Sequence, residues 1–286
     1  MPSDLTIAAS VGAVAPAFRL GVLGGMGPLA TVDFMHKLVL ATPARIDQEH
    51  VPAVVWNVPQ IADRQQAIAG TGPSPLPQLL EGVAQLNRAG ATLIVIPCNT
   101  VHHWIEPLRA ASAVPFLHIV DATLEALVRS GAGAGLSFSV NAAVVADRAV
   151  AGPSSSDDVD AQPTEAAGPT RIGLIATQGA LQTRLYQDRL VQHGYEVLEN
   201  TVEELDTLFT PGCYAIKRNA LDDGALLLEA AAQALVDRGA QRLVLACTEV
   251  PLALAHGRSA LLAHSVDPNQ ALAEAVAARW LALREA

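Results

Sequence analysis

Two cysteines stand at matching places in the chain. Cys98 closes the apolar run "TLIVIPC" and Cys247 closes "RLVLAC". Each run reads as a strand, and each cysteine opens a turn into a helical pattern. In open parallel sheets ligands collect at the carboxyl ends of the strands. A helix N-terminus there offers free N–H groups and a positive dipole, and both features can bring a thiol below its usual pKa of about 8.5. For either cysteine alone, a buried structural thiol is the plain alternative; the matched pair argues against it. Two facing thiols suit the inversion of a carbon that bears hydrogen. One thiolate removes the proton, one thiol delivers another to the opposite face, and the roles exchange when the reaction reverses. Asn99 and Thr100 follow the first cysteine, Thr248 and Glu249 the second, and all four suit capping or a hydrogen bond to a ligand. Cys213 has no such counterpart and reads as incidental.

The matching extends beyond the cysteines. "RLGVLGGMG" at 19–27 resembles "RIGLIATQG" at 171–179, and "GATLIVIPCNT" at 90–100 resembles "GAQRLVLACTE" at 239–249. Both pairs share nearly the same shift, so the chain reads as an internal duplication. "LGVLGG", "AVVWNV", "TLIVIP" and "PFLHIV" read as strands of the first half, "RIGLIAT", "YEVLE" and "RLVLA" as strands of the second. Between them "TVDFMHKLVLAT", "LPQLLEGVAQLNRAG", "HHWIEPLRAA", "LQTRLYQDRLVQHG" and "DDGALLLEAAAQALVDRG" read as helices. Apolar strands alternating with helices mean parallel sheets covered on both faces. The expected fold is therefore α/β: two similar duplicated domains, each a parallel sheet flanked by helices, with the active site in the cleft between them. The boundaries fall at 19–121 plus 265–286 for the first domain and 122–264 for the second, after a tail at 1–18. Within the second, 130–170 includes "AGPSSSDDVDAQPTEAAGPT", which cannot bury enough apolar area to order itself and reads as a flexible low-complexity insertion. "LSFSVNAAVVADRAV" just before it could form a marginal helix or strand.

Composition excludes several roles. A net charge of −10 argues against nucleic acid and anionic membranes as partners. No apolar run approaches the roughly 18 residues of a membrane span, and the N-terminus lacks the basic leading segment of a signal peptide. Three cysteines in 286 residues do not make a disulfide framework, which favours a reducing, cytoplasmic setting. Cys98 and His102 have a metal-like spacing, but no second cluster completes a site, so no metal is expected. His102 and His103 read as covering the helix after the cysteine turn, while His118, Asp121 and Asp267 could steady the domain junction.

The stretch "GVLGGMGPLA" holds Gly25, Gly27 and Ala30 in a G-x-G-x-x-A pattern, the fingerprint of dinucleotide loops. Such a loop needs an acid at the end of the second strand to bind ribose. Here that strand, "AVVWN", ends in Asn57, and Asp63 comes later. The loop is better read as a backbone cradle for a substrate carboxylate, with Met26 at its tip lining the pocket.

The motifs "GVLGGMGP", "IPCNTVHHW" and "ACTEVPL" together resemble the aspartate/glutamate racemase family, in its aspartate racemase branch. "NVPQIADR", "VPFLHIVDAT", "IGLIATQGALQTRLY" and "HSVDPNQALAEA" agree, and the likeness runs from Arg19 onward apart from the insertion. The resemblance implies a racemase of aspartate or a related acidic amino acid that needs neither pyridoxal phosphate nor any other cofactor, and it implies a homodimer. Cys98 and Cys247 are then the catalytic pair. Arg64 and Lys217 fall where the family holds substrate carboxylates, a role that suits a bidentate guanidinium and a point-charge ammonium. Gln65 and Asn57 complete the expected substrate-binding set. Two rivals remain: a single-cysteine decarboxylase or isomerase on the same scaffold, and a non-catalytic amino-acid-binding protein.

Overall fold

The computed structural model describes residues 18–131 and 169–285. The tail at 1–17 and the segment 132–168, which holds nearly all of the expected insertion, lie outside the described residues. The first half runs β1 (Leu20–Gly24), α1 (Pro28–Ala41), β2 (Ala53–Asn57), α2 (Arg64–Ile68), α3 (Leu76–Arg88), β3 (Leu93–Val95), α4 (Ile105–Ala110) and α5 (Ile119–Arg129). The second runs β4 (Arg171–Ala176), α6 (Gln178–Gln182), α7 (Gln187–Gln192), β5 (Glu196–Glu199), α8 (Val202–Glu204), α9 (Thr210–Lys217), α10 (Leu221–Asp237), β6 (Arg242–Ala246), α11 (Glu249–His256), β7 (Ser265–Val266) and α12 (Pro268–Glu285).

The strand order is β2-β1-β3 in one sheet and β5-β4-β6-β7 in the other, and every pairing is parallel. β1 and β4 take the same central place, and their buried, apolar sequences explain why: a central parallel strand is covered on both faces. The duplication reaches the packing. A Cβ on Gly21 would meet Leu86, Ala91 and Ile94, and one on Gly173 would meet Leu235, Ala240 and Leu243, which are the duplicate positions. α3 closes on β1, and α10 on β4, only because the central strand carries no side chain there.

The "PFLHIV" strand shrinks to a single bridge between Phe116 and Ile94. His118 ends it: its Nδ1 accepts the Val120 N–H at 3.2 Å and so caps α5. "HHWIEPLRAA" divides into a 3-10 turn over Thr100–Trp104 and the short α4. "LQTRLYQDRLVQHG" breaks between α6 and α7, where Arg184 takes a positive φ of 53°.

One buried cluster draws on both halves, joining Leu20, Val22 and Phe34 to Ile172, Leu174, Tyr186 and Leu272. Each fully buried residue of this kind contributes about 1.5–3 kcal/mol. Ion pairs join the same elements. Lys37 of α1 lies 2.5 Å from both Asp33 and Asp267, and Arg189 of α7 pairs with Asp121 of α5. The sequence boundary at 264/265 falls just ahead of β7, which hydrogen-bonds β6 in the second sheet. α12 then crosses back, and Asn269 donates to Ala30 O at 3.1 Å and to Asp33 at 3.2 Å. No helix among the described residues is long and apolar enough to cross a membrane.

Candidate active site

One cavity gathers the loops that leave the carboxyl ends of four strands. Met26 follows β1, Cys98, Asn99 and Thr100 follow β3, Thr177 follows β4, and Cys247, Thr248 and Glu249 follow β6. Asp63, Arg64 and Gln65 enter at the start of α2 and Lys217 at the end of α9. The expected candidates therefore meet here, except Asn57. That residue is the exposed end of β2, an edge strand, so its side chain lies away from the point where the central strands converge. Two lining residues escaped the sequence reading. Thr177 occupies the duplicate position of Gly25, and the internal alignment could have pointed to it. Asp63 was considered only as a ribose ligand, whereas its carboxylate caps α2, accepting from the Gln65 and Gln66 N–H groups at 2.7 and 3.0 Å.

Both cysteines are buried, and their thiols titrate above the ordinary thiol value, not below it. Burial is the main cause for Cys98. Arg64, the Val101 N–H and Lys217 pull the other way, and Glu249 adds to the rise. Cys247 is pushed well up, first by Cys213 and then by burial, with Glu249 adding and Lys217 opposing. The helix-terminus effect expected at the cysteines is present at Cys98, in the Val101 N–H, but burial outweighs it. Cys98 leads into a 3-10 turn, and neither Asn99 nor Thr248 makes a side-chain cap bond. Cys213 is not incidental, because its Sγ lies 3.6 Å from that of Cys247. The Cys247 thiol donates to Glu249 Oε2 at 3.1 Å, and the Thr248 hydroxyl donates to the same oxygen at 3.3 Å.

The polar lining divides into groups already engaged and groups left free. Gln65 Nε2 donates to Thr100 at 3.3 Å and Gln65 Oε1 accepts the Gly179 N–H at 2.7 Å. Thr100 and Thr177 share a hydrogen bond of 3.0 Å. These contacts tie the first half to the second, so Gln65 lines the cavity and also braces the junction. Asn99 differs. Its Oδ1 accepts from the buried Tyr186 hydroxyl, while its Nδ2 is buried without a partner among the described residues. Such an orphan donor, on a side chain that lines a cavity, has hydrogen-bonding capacity left for an acceptor. Below it, His102 bonds the Cys98 carbonyl through Nδ1 at 2.9 Å and accepts the Ile119 N–H at Nε2. Burial lowers its pKa to about 4, so a neutral imidazole holds the cysteine turn.

Part of the glycine loop is committed to the fold. The Gly25 N–H donates to Thr31 Oγ1 at 2.9 Å and is spent. Gly25 has a φ of +97°, and a Cβ there would stand 2.4 Å from the Val58 backbone. The glycine is needed for that close passage, and the passage delivers Met26 to the cavity.

Arg64 and Lys217 form no ion pair among the described residues. Arg64 is half-buried, and its Nη1 donates to Ile61 O and Ala62 O at 3.2 and 3.1 Å, which fixes the guanidinium at the mouth. Lys217 lies on the rim, where solvent reaches it although its surroundings are crowded. Enclosure works against its charge, and Glu249, Cys247 and Cys213 outweigh that, so its ammonium titrates above the usual lysine value.

A duplicated α/β scaffold with one strand-end cysteine from each half in a shared cavity is a specific arrangement. The sequence profile of the Asp/Glu/hydantoin racemase family fits residues 23–146 and 159–276. The chain belongs to this family. Its fold is similar to that of an aspartate racemase from Picrophilus torridus, with a TM-score of 0.67 and 24% identity over 92% of this chain and 94% of that one. It is also similar to a glutamate racemase from Francisella tularensis solved with D-glutamate, with a TM-score of 0.60 and 13% identity over 94% of this chain and 83% of that one. At these identities the likeness is one of fold. In sequence the chain is 30% identical over 112 residues to the broad specificity amino-acid racemase RacX of Bacillus subtilis. That alignment covers 37% of this chain and 48% of RacX, about half of the relative's length.

Proposed function

We propose that this racemase-family protein inverts the α-carbon of aspartate or a related acidic amino acid, using Cys98 and Cys247 as a two-base pair without a cofactor. The observation that carries the reading is the cavity itself. It is lined by buried cysteines from equivalent strand ends of duplicated halves and by the orphan amide of Asn99. Asn99 Nδ2 offers a hydrogen bond to the α-carboxylate, and Arg64 and Lys217 offer charge to the side-chain carboxylate. Met26 supplies an apolar wall.

The environments support a division of resting roles. Cys247 donates its proton to Glu249 and titrates far upward, so it rests as the thiol. Burial raises Cys98 as well, but the charges of Arg64 and Lys217 favour its thiolate, and the scheme takes it as the first base. The Cys98 thiolate takes the α-proton, the electron pair left on carbon is stabilised by the bound carboxylate, and the Cys247 S–H protonates the opposite face. The resulting Cys247 thiolate is the base for the reverse direction. Incubating the protein with single enantiomers of aspartate and glutamate, followed by chiral chromatography, tests the reading. Both directions should proceed without added cofactor and stop on thiol alkylation. Full activity after iodoacetamide overturns the thiol mechanism, and unchanged enantiomers overturn the racemase reading.

A further inference from the structure

The cavity with the cysteines measures only about 30 Å³. Beside it lies a second of about 290 Å³, and the two share Asp63, Arg64, Lys217 and Glu249. These four are the only charged residues lining the larger cavity. Its other walls are largely apolar, with Leu29 of α1, Ile61, Tyr214 and Ile216 of α9, and Leu252 of α11. An occupant would therefore meet charge at the inner end and hydrocarbon at the outer. Leu29 and Tyr214 are 40% and 46% exposed, an uncovered apolar surface on either side of the mouth. The Tyr214 ring stands 5.2 Å from Lys217 Nζ, at the join between the charged and apolar parts. Room is ample, since an apolar cavity of roughly 150 Å³ suffices for benzene.

We infer that the larger cavity receives the substrate's side chain, and that the protein also turns over α-amino acids with extended apolar or aromatic side chains. The inference rests on the racemase reading. The amino and carboxyl groups stay between the thiols in either case. An aspartate side chain ends at Arg64 and Lys217, whereas a benzyl or thioether chain passes between them onto Leu29, Tyr214 and Leu252. A separate effector fits the geometry less well, because anything filling the inner end would touch four residues of the catalytic cavity.

The test measures α-proton exchange in heavy water by NMR, with chiral chromatography, on L-aspartate, L-phenylalanine and L-methionine. The parent should process phenylalanine or methionine as well as aspartate. Leu29→Trp should cut kcat/KM for the apolar substrate relative to aspartate by roughly tenfold or more, the scale of a lost hydrophobic subsite contact. Turnover of aspartate with no exchange of either apolar substrate overturns the inference and leaves the racemase reading intact. Turnover of phenylalanine alone supports the inference and overturns the acidic preference. An unchanged substrate ratio in Leu29→Trp shows that the side chain goes elsewhere and overturns the inference, and exchange of none of the three overturns both readings.

Discussion

Tyr186→Phe would separate the grip on the pocket from the packing of the core. The ring is 1% exposed, and its hydroxyl reaches across the two halves to donate to Asn99 Oδ1. The Thr123 hydroxyl, 3.5 Å away, gives its own proton to Ile119 O at 2.7 Å and cannot replace it. Phenylalanine keeps the ring and removes the only donor to that oxygen among the described residues. A buried acceptor left unpaired costs about 1–3 kcal/mol. For a chain of this size each kcal/mol lowers Tm by roughly 2–4 °C, so thermal unfolding should move down by about 2–12 °C. Activity should suffer more than stability. The Tyr186 bond fixes the orientation of the Asn99 amide by holding its Oδ1, and a misplacement of about 1 Å in a positioning group can cost on the order of 100-fold. Thermal denaturation followed by circular dichroism gives the first quantity. Initial rates of inversion well below the transition give the second, with kcat/KM expected to fall roughly 10- to 100-fold. A lowered Tm with the parent kcat/KM would show that Asn99 serves the fold and not the substrate. An unchanged Tm would refute the hydrogen-bond argument itself.

Cys98→Ser and Cys247→Ser should each abolish racemisation, because a serine hydroxyl without a neighbouring base is far weaker at neutral pH. In heavy water each variant should exchange the α-hydrogen of one enantiomer without inverting it, and the two variants should prefer opposite enantiomers; a shared preference would sink the two-base scheme. Arg64→Met should raise KM for dicarboxylic substrates, at a cost of about 2–5 kcal/mol for a partly buried charge partner. Lys217→Met should cost less because Lys217 sits on the rim, and parent kinetics in both would remove the carboxylate assignment. Since burial raises the Cys98 thiol and Cys213 and burial raise Cys247, the thiolate forms only above the ordinary thiol range. The kcat/KM of the free enzyme should therefore climb as pH rises through and beyond about 8.5, and a profile flat from about pH 6 to 9 would contradict these environments.

The two halves and their parallel sheets were legible because strand and helix periods alternate cleanly and two long matches share nearly the same shift. The cysteine pair was legible for the same reason. What failed was local. Asn57 ends a strand as Cys247 does, but nothing in its own sequence says that β2 lies at a sheet edge. "PFLHIV" has strand composition, yet His118 caps a helix in its middle, and a cap competes with a strand over only two or three residues. The bracing contacts of Gln65 are likewise invisible in the sequence, because its partners Thr100 and Gly179 lie 35 and 114 residues away. Tyr186 gave no signal at all, since a buried tyrosine differs from a core phenylalanine only by where its hydroxyl points.

Duplication accounts for the symmetry of the site and later divergence for its asymmetry. A symmetric pair of thiols would suit a reaction whose two directions are near mirror images, but the surroundings of this pair differ. Cys98 faces Arg64 and stands on a neutral His102, while Cys247 faces a carboxylate and a third thiol. The proposed scheme uses this difference, with Cys98 as the first base and Cys247 as the first acid. Under that scheme each turnover in the forward direction leaves the thiolate on Cys247, where Glu249 and Cys213 disfavour it. Lys217 is the group able to restore balance, because it lowers both thiols and is itself held charged by Glu249. A single cation coupled to both sulfurs is what a two-base site needs if its two protonation states are to stay close in energy.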